Sequence, residues 1–308
     1  MIDLRTPLRD YLAVRRQLGF ELKEAGRGLE GFVGFLERAH AERVTTELAV
    51  AWAKLPADAH PDHWRRRLGW VRGFARYLAT IDPESDVPSK DLLPARGDRV
   101  APHIYSEAEI VALMAAARTV RPPSTAASLE TLIGLMASTG LRLGEALGLD
   151  RQHVDLDDGV LHVRAAKQSK QREVPLHPTT TAALGNYARV RDQYLLEPET
   201  AAFFTNSVGT PLSKHTVHPA FRELIRQVGL EGRGKRTRPR PHDLRHSFAV
   251  RTLLAWHRSG AEVERELPLL STYLGHVQPV STFWYLEAVP ELLELIGRRL
   301  DGVFGARP

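Results

Sequence analysis

The chain has no cysteine among its 308 residues. This excludes disulfide bonds, thiol nucleophiles and cysteine-ligated zinc or iron–sulfur sites. No stretch approaches the roughly 18 consecutive apolar residues that a membrane-spanning helix requires. The first seven residues carry an acid and a proline where a signal peptide would have an apolar core. We therefore expect a cytoplasmic protein with no membrane partner.

Acidic residues are scarce in two stretches of the sequence. Residues 65–76 contain five arginines and no acid, and residues 233–258 contain eight Lys or Arg against one acid. The formal net charge is +5 and the pI is about 9.6. A basic stretch alone is most often a solvated helix face. Two of them in one chain favour a polyanionic partner, and we expect nucleic acid.

The sequence also lacks the glycine-rich loops that bind nucleotides. It contains no Gly-x-x-x-x-Gly-Lys-Ser/Thr stretch. Gly26, Gly28 and Gly31 have the spacing of a dinucleotide-binding motif, but that motif needs a preceding strand, and the residues before Gly26 have a helical pattern. We reject the motif and expect no nucleotide cofactor.

Apolar periodicity predicts a helical first domain over residues 1–82. One stripe runs from Leu29 to Leu36 and another from Trp64 to Leu78. Other faces of the second of these helices carry arginines that are candidates for DNA phosphate contacts: Arg65, Arg66, Arg72 and Arg76. Residues 83–103 are rich in proline and have no helical period, so we expect a linker there.

Residues 104–308 are expected to form a second, mixed and mainly helical domain. Ser106 and Glu109 have the spacing of a capping box, and Gly140 stands where a helix over 128–138 would end. Residues 159–164 and 171–176 alternate as two strands of a hairpin. Further helices are predicted over 179–194 and 213–228, with a short strand at 203–205. The predicted fold class is mainly α with a small antiparallel β-sheet.

Residues 139–145 read Thr-Gly-Leu-Arg-Leu-Gly-Glu. The pattern places Arg142 on the turn into a new short helix, where free backbone N–H groups help to bind an anion. The simpler interpretation is a surface arginine paired with Glu145. Taken alone, this stretch would favour the simpler interpretation.

The stretch from Pro241 to Tyr285 has the densest set of reactive side chains. His242 and Arg245 are close in a helix-like run, and Tyr285 follows His276 by nine residues. A tyrosine phenol titrates near ~10 and is a poor nucleophile alone. Cationic neighbours that stabilise developing charge allow it to attack a phosphodiester and form a covalent intermediate.

Four motifs in this order resemble the tyrosine site-specific recombinases, the phage-integrase class. They are Thr-Gly-Leu-Arg-x-x-Glu at 139–145, Lys167 eight residues before Pro175 in Val-Pro-Leu, His242-x-x-Arg245, and Leu-Gly-His276 with Tyr285 nine residues later. The resemblance covers the second domain. It implies an N-terminal helical, SAM-like core-binding domain and a C-terminal mixed α/β catalytic domain that close as a clamp on duplex DNA.

The resemblance also implies residue roles. Tyr285 would be the nucleophile of a 3′-phosphotyrosyl intermediate, and Arg142 and Arg245 would clamp the scissile phosphate. Lys167 would protonate the leaving 5′-oxygen. The remaining roles would fall to His242 for the tyrosine proton, His276 for hydrogen bonds to the transition state, and Glu145 as a supporting acid.

Two assignments have nearby competitors. Lys170 competes with Lys167 for the acid role, and the spacing to Pro175 favours Lys167. Tyr273 lies near Tyr285 in sequence, but it precedes His276 and lacks the family spacing. Additional DNA contacts are expected from the basic loop before His242, with its Lys235, Arg236, Arg238 and Arg240.

The implied chemistry needs neither metal nor ATP, because the phosphotyrosine link keeps the energy of the broken phosphodiester. The implied partners are double-stranded DNA and further copies of the chain, as a tetramer on DNA and weakly associated or monomeric without it. The terminal stripe over 292–300 either packs on its own domain or, as the resemblance implies and as we expect, docks on a neighbouring subunit. Sister recombinases or accessory proteins are further possible partners.

Three other functions are compatible with parts of the sequence. A metal hydrolase would use His242, Asp243 and His246, with His276 as a further ligand, but it leaves Arg142, Lys167 and Tyr285 unexplained. A type IB topoisomerase would use the same chemistry without a specific site. A non-catalytic DNA-binding relative is the third, although each expected catalytic position is filled.

Overall fold

The computed structural model describes residues 3–94, 101–164, 171–194, 200–232 and 238–275. The chain divides into two compact units, Met1–Arg99 and Val100–Pro308. This division falls inside the predicted linker. In the described residues the fold is mostly helical with a small antiparallel sheet, as the sequence predicted.

Four helices are described in the first unit. They are α1 (Arg5–Gln17), α2 (Lys23–Arg38), α3 (Thr46–Lys54) and α4 (Pro61–Leu78). The predicted stripe of α2 is buried from Leu29 to Leu36, and α4 buries its own stripe against the same core. The side chain of Thr45 caps α3 by accepting from the Leu48 amide. Amphipathic spacing therefore accounts for this unit.

The glycine motif that the sequence analysis rejected lies inside α2. Gly28 is helical, and a Cβ added to it would lie 2.6 Å from the ring of Trp70. The glycine therefore allows α4 to pack its tryptophan directly on the backbone of α2. A Cβ at Gly31 would meet no atom within 4 Å.

Residues 83–94, which were predicted as part of the linker, make contacts with the first unit. The Asp86 carboxylate accepts from the Thr46 amide at 2.9 Å, and the Asp86 amide donates to Val44 O at 2.8 Å. Leu93 is buried in the same core as α2 and α4. This half of the proline-rich segment therefore belongs structurally to the first unit.

Seven helices are described in the second unit. They are α5 (Glu107–Ala117), α6 (Pro123–Thr139), α7 (Leu143–Ala146), α8 (Pro178–Tyr194), α9 (Lys214–Gln227), α10 (Pro241–Ser259) and α11 (Val263–Leu274), with a 3-10 turn at Arg151–His153. The predicted capping box of Ser106 and Glu109 is present at α5. Helix α6 packs on α5, α8 and α10 and so lies centrally in this unit.

The sheet has three antiparallel strands in the order β1 (Val154–Asp155), β2 (Val160–Arg164) and β3 (Gln171–Pro175). Leu161, Val163 and Val174 are buried, whereas their neighbours along the strands are exposed or half-buried. This is the alternation expected for a sheet with one buried face. The predicted hairpin is confirmed. The strand β1 was not predicted, because a strand of two residues has no recognisable alternation.

The predicted strand at 203–205 is wrong. Only isolated bridges form there, between Asp150 and Ala202 and between Thr205 and Pro211. Phe203 and Phe204 are instead buried beside Tyr187 of α8, with ring centroids 5.5 and 5.2 Å from its ring. The aromatic residues that indicated a strand serve as core packing.

Among the described residues, no helix has both the length and the hydropathy to cross a membrane.

The contact between Gly28 and Trp70 predicts opposite effects for two glycine substitutions in one helix. Gly28→Ala should destabilise the protein by about 1 to 3 kcal/mol, because the new methyl group overlaps the ring. The matched control Gly31→Ala should stabilise it by up to ~1 kcal/mol through helix propensity. Urea unfolding measures both. Equal effects of the two changes would contradict the packing role of Gly28.

Candidate active site

Arg142 is the N-cap residue of α7, two residues after Gly140, the C-cap residue of α6. Its backbone amide donates to Glu145 Oε2 at 2.9 Å, and its Nη1 donates to Glu145 Oε1 at 2.7 Å. The carboxylate thus satisfies an otherwise unpaired amide of the first helical turn. The pairing of Arg142 with Glu145 that the sequence suggested is present, and the arginine side chain stays 38% exposed.

Arg172 on β3 is a second arginine on the same carboxylate, and the sequence analysis missed it. Its Nη1 and Nη2 donate to the two oxygens of Glu145 at 3.1 and 2.9 Å. The side chain of Arg172 is 14% exposed and that of Glu145 is 6% exposed. Glu145 is therefore a buried carboxylate held between two guanidinium groups.

This environment sets the protonation of Glu145. Burial raises the pKa of the carboxyl group, but the hydrogen bonds from Arg172 and from the Arg142 amide, with both positive charges, outweigh burial and lower the pKa to about 2. Glu145 is therefore ionised throughout the neutral range. The cluster of two arginines and one glutamate has a net charge of +1.

At the C-terminus of α11, three consecutive backbone carbonyl groups each accept a hydrogen bond from a different arginine. Arg172 Nε donates to Tyr273 O at 2.9 Å, Arg245 Nη2 to Leu274 O at 2.7 Å, and Arg142 Nη2 to Gly275 O at 3.0 Å. The last carbonyls of a helix lack intrahelical partners and carry its partial negative charge. This helix end therefore brings arginines from β3, α10 and α7 together.

Arg245 is the most buried of the three arginines. It is 1% exposed, and its Nη1 donates to Gly140 O at 2.8 Å in addition to the bond with Leu274 O. It therefore links the C-terminal ends of α6 and α11. The phosphate-clamp role that the resemblance implies for Arg245 stays a prediction.

Glycines at both of these helix ends are required by close approach as well as by conformation. Gly140 and Gly275 have φ values of +64° and +68°, in the left-handed region that favours glycine. A Cβ at Gly140 would lie 2.6 Å from the ring of Phe248, and one at Gly275 would lie 2.7 Å from Arg172 Nη1. Both glycines belong to the motifs that the sequence analysis singled out.

His242 is exposed in the first turn of α10, where a buried cap fixes the helix. The Asp243 carboxylate accepts from the Arg240 amide at 2.8 Å and from Arg240 Nη2 at 3.3 Å, and burial raises the Asp243 pKa. His246 lies one turn further along and is buried, with its ring centroid 4.8 Å from that of His242. In the described part of the chain, no group of three or more His, Asp or Glu side chains could hold a metal ion.

The described residues thus bring Arg142, Glu145 and Arg245 into one network through the end of α11. Other predicted site residues lie outside the described residues: Lys167, its competitor Lys170, Lys235, Arg236, His276, Tyr285 and the terminal stripe over 292–300. Gly275, the last described residue of the unit, immediately precedes His276. Arg238 and Arg240 are described and exposed ahead of α10.

The predicted DNA-contacting arginines of α4 are not equivalent. Arg65, Arg66 and Arg72 line a cleft of about 540 Å³ with Lys90, whereas Arg76 is exposed elsewhere on the helix. Arg72 also donates to Pro88 O and Ser89 O at 2.8 and 2.9 Å, so part of its hydrogen bonding holds residues 88–89 against α4. A phosphate role for these arginines stays a prediction.

Comparison with known proteins identifies relatives of the whole chain. The model of the phage integrase family matches residues 104–291. The protein y4rB of Sinorhizobium fredii, which carries the name integrase/recombinase, is 43% identical over 307 residues and covers 98% of each chain. Tyrosine recombinase XerC of Azotobacter vinelandii is 30% identical over 220 residues, 71% of this chain and 67% of that protein.

A solved structure shares the fold. The crystal structure of a lambda integrase tetramer bound to a Holliday junction matches with a TM-score of 0.62 at 16% identity. The match covers 91% of this chain and 79% of that one.

The low pKa of Glu145 predicts an acid-sensitive contribution to stability. The folded-state pKa of about 2 lies below the ordinary value of 4.5, so the contribution is complete above about pH 5 and is lost as the pH falls toward 2. Glu145→Gln should therefore lower the free energy of unfolding at pH 7 by on the order of 3 kcal/mol, and by progressively less in acid. Urea unfolding across pH 2–7 measures this difference.

The matched control is Glu173→Gln on β3, where the glutamate side chain is 73% exposed. That change should alter stability by less than ~0.5 kcal/mol. A wild-type advantage over Glu145→Gln that does not shrink in acid would contradict the ionised-carboxylate description.

Proposed function

The chain belongs to the phage integrase family, and from that premise we propose that it is a site-specific DNA recombinase that works through a 3′-phosphotyrosyl intermediate. The observation that carries the proposal is the convergence of Arg142 and Arg245 on the carbonyls of residues 274–275, directly ahead of His276. The reaction breaks and rejoins duplex DNA. It requires neither metal nor ATP.

In the proposed first step, Tyr285 Oη attacks the scissile phosphorus. The P–O5′ bond breaks as the P–Oη bond forms, leaving the DNA 3′-phosphate on the tyrosine. His242 accepts the phenolic proton, and Lys167 donates a proton to the departing 5′-oxygen. Rejoining is the same step in reverse, with the 5′-hydroxyl of a partner strand as the nucleophile, so the bond energy is conserved.

The arginines supply the charge stabilisation in this proposal. As the phosphorane forms, negative charge grows on its non-bridging oxygens, and guanidinium donors match those oxygens in geometry. Arg142 is suited to this task because it is partly exposed while its side chain is held at two points, Glu145 Oε1 and Gly275 O. Such preorganisation reduces the reorganisation needed when substrate binds.

Double-stranded DNA is the proposed partner, with a tetramer as the active assembly. Lambda integrase, whose fold this chain shares, is a tetramer on a Holliday junction in its solved structure. The basic cleft lined by Arg65, Arg66 and Lys90 supports backbone contacts by the first unit. The exposed Arg238 and Arg240 ahead of α10 would add contacts beside His242.

The nucleophile assignment is tested by covalent capture in EDTA. A nicked suicide duplex carrying DNA that flanks the gene is incubated with the protein and separated on a denaturing gel. The wild type should give a shifted covalent band, and Tyr285→Phe should bind DNA but give none, because the attacking oxygen is absent. Relaxation of an arbitrary supercoiled plasmid would instead indicate a topoisomerase.

Tyr273→Phe is the informative companion variant. Burial raises the pKa of the Tyr273 phenol to about 12, and its ring stacks on Phe248 with centroids 5.7 Å apart. A group so placed is a poor nucleophile, so this variant should keep the band. A band in Tyr285→Phe that is lost in Tyr273→Phe would overturn the assignment.

The general acid is tested by chemical rescue. Lys167→Ala should slow cleavage by about 10²- to 10⁴-fold on an ordinary duplex, because the 5′-alkoxide then leaves unprotonated. A duplex with a bridging 5′-sulfur needs no proton and should be cleaved at near wild-type rate. Lys170→Ala is the matched control. A Lys167→Ala defect that persists with sulfur, together with rescue of Lys170→Ala, would move the acid role to Lys170.

A further inference from the structure

Arg172 has no part in the proposed chemistry, yet it is the guanidinium group that holds Glu145 most completely. It binds both carboxylate oxygens through two parallel bonds, whereas the Arg142 side chain binds one. Its remaining nitrogen, Nε, donates a hydrogen bond to Tyr273 O. With all three nitrogens engaged and 14% of its side chain exposed, Arg172 is a fixed element of the cluster.

The charges of the cluster show what this element does. Glu145 carries one negative charge, and two arginines contact it. With Arg172 present, the sum is +1. With Arg172 absent, Arg142 and Glu145 would form a neutral pair, and Glu145 would draw the Arg142 guanidinium into the bidentate geometry that such pairs favour. Arg142 would then offer a phosphate less positive charge and fewer N–H donors.

We propose that Arg172 is a positioning residue for Arg142: it neutralises Glu145 and so leaves the charge of Arg142 available to a DNA phosphate. This inference rests on the proposed function for its catalytic consequence. Its structural basis is the shared carboxylate and the shared helix end.

A second contact extends this positioning to the backbone. Arg172 and Arg142 donate to the carbonyls of Tyr273 and Gly275, so the two arginines hold the same helix end. A Cβ atom at Gly275 would lie 2.7 Å from Arg172 Nη1, so a residue with a side chain would clash there. The glycine before His276 therefore makes room for the Arg172 guanidinium, which ties β3 to the residue preceding His276.

A charge-compensation cycle separates positioning from simple structural support. Arg172→Gln should slow single-turnover cleavage at saturating protein by roughly 10- to 100-fold, by analogy with the loss at metal sites when a partner that orients a ligand is removed. Adding Glu145→Gln restores the net charge of +1. The double variant should recover about tenfold of the lost rate, because contacting charges are non-additive.

The control is Arg118→Gln, which removes an arginine from an exposed pair with Glu130 on α6. It should leave the rate unchanged. Arg172→Gln as fast as this control, or a double variant as slow as Arg172→Gln, would overturn the proposal. A merely structural role predicts that the second substitution brings no recovery.

Arg172→Lys covers the case in which Arg172→Gln fails to fold, which circular dichroism would show. Lysine keeps the charge but loses the fork, so this variant should retain more activity than the glutamine variant. The Glu145→Gln/Arg172→Gln double variant also has a net charge of +1, but it has no carboxylate at position 145. A rate of Arg172→Lys that equals the rate of this double variant and exceeds that of Arg172→Gln supports a need for the fork. A rate of Arg172→Lys equal to that of a folded Arg172→Gln overturns the charge argument.

The salt dependence of binding to the same duplex separates this proposal from the proposed function. Each neutralised phosphate contributes roughly 0.9 to the slope of log K against log salt. Arg172→Gln should lower the slope by about one, and the double variant should regain it. This result supports the role of Arg172 even if the wild type forms no covalent band. If the wild type cleaves normally and Arg172→Gln has the same slope as the wild type, the role of Arg172 is overturned and the proposed function is not.

Discussion

The arrangement of the candidate site depends on the carbonyl groups at the end of α11, which have no hydrogen-bond donor within the helix. Tyr273, Leu274 and Gly275 each accept from a different arginine, and these arginines come from β3, α10 and α7. A helix end cannot satisfy its last carbonyls internally, so buried donors must come from elsewhere in the fold. Arginine is suited to the task because one guanidinium can bind a carbonyl and a second partner at once. The same bonds that complete α11 therefore fix the positions of Arg142 and Arg245.

Charge balance explains why a carboxylate lies inside a site that is proposed to bind phosphate. The guanidinium groups of Arg142 and Arg172 both contact the end of α11 and repel each other. The buried Glu145 between them offsets that repulsion. The cluster keeps one positive charge, which is what a phosphate diester requires. A buried carboxylate with one arginine would cancel that charge. The second arginine is therefore part of the electrostatic design and not a redundant contact.

Local patterns predicted most of the elements, because amphipathic spacing, caps and turns are short-range signals. The stripe of α2, the capping box at Ser106 and the hairpin of β2 and β3 illustrate this. The strand at 203–205 was wrong because pairing depends on a partner that the sequence does not specify. Arg172 was missed for a related reason. It stands between exposed residues on a strand, and its partner Glu145 is 27 residues away, so only tertiary packing distinguishes it from a solvated arginine.

The glycines of the two motifs lie against bulky side chains that the sequence alone does not reveal. Gly140 and Gly275 have left-handed backbones, and each lies against a group that a Cβ would displace: Phe248 in one case and Arg172 in the other. A glycine that ends a helix is explained by conformation alone. A glycine that also needs space implies a bulky neighbour close to the backbone. The Thr-Gly-Leu-Arg stretch and the Leu-Gly pair that precedes His276 are therefore packing units. Because Arg142 donates to Gly275 O across 133 residues of sequence, the side-chain position of Arg142 depends on long-range folding that the local motif does not specify.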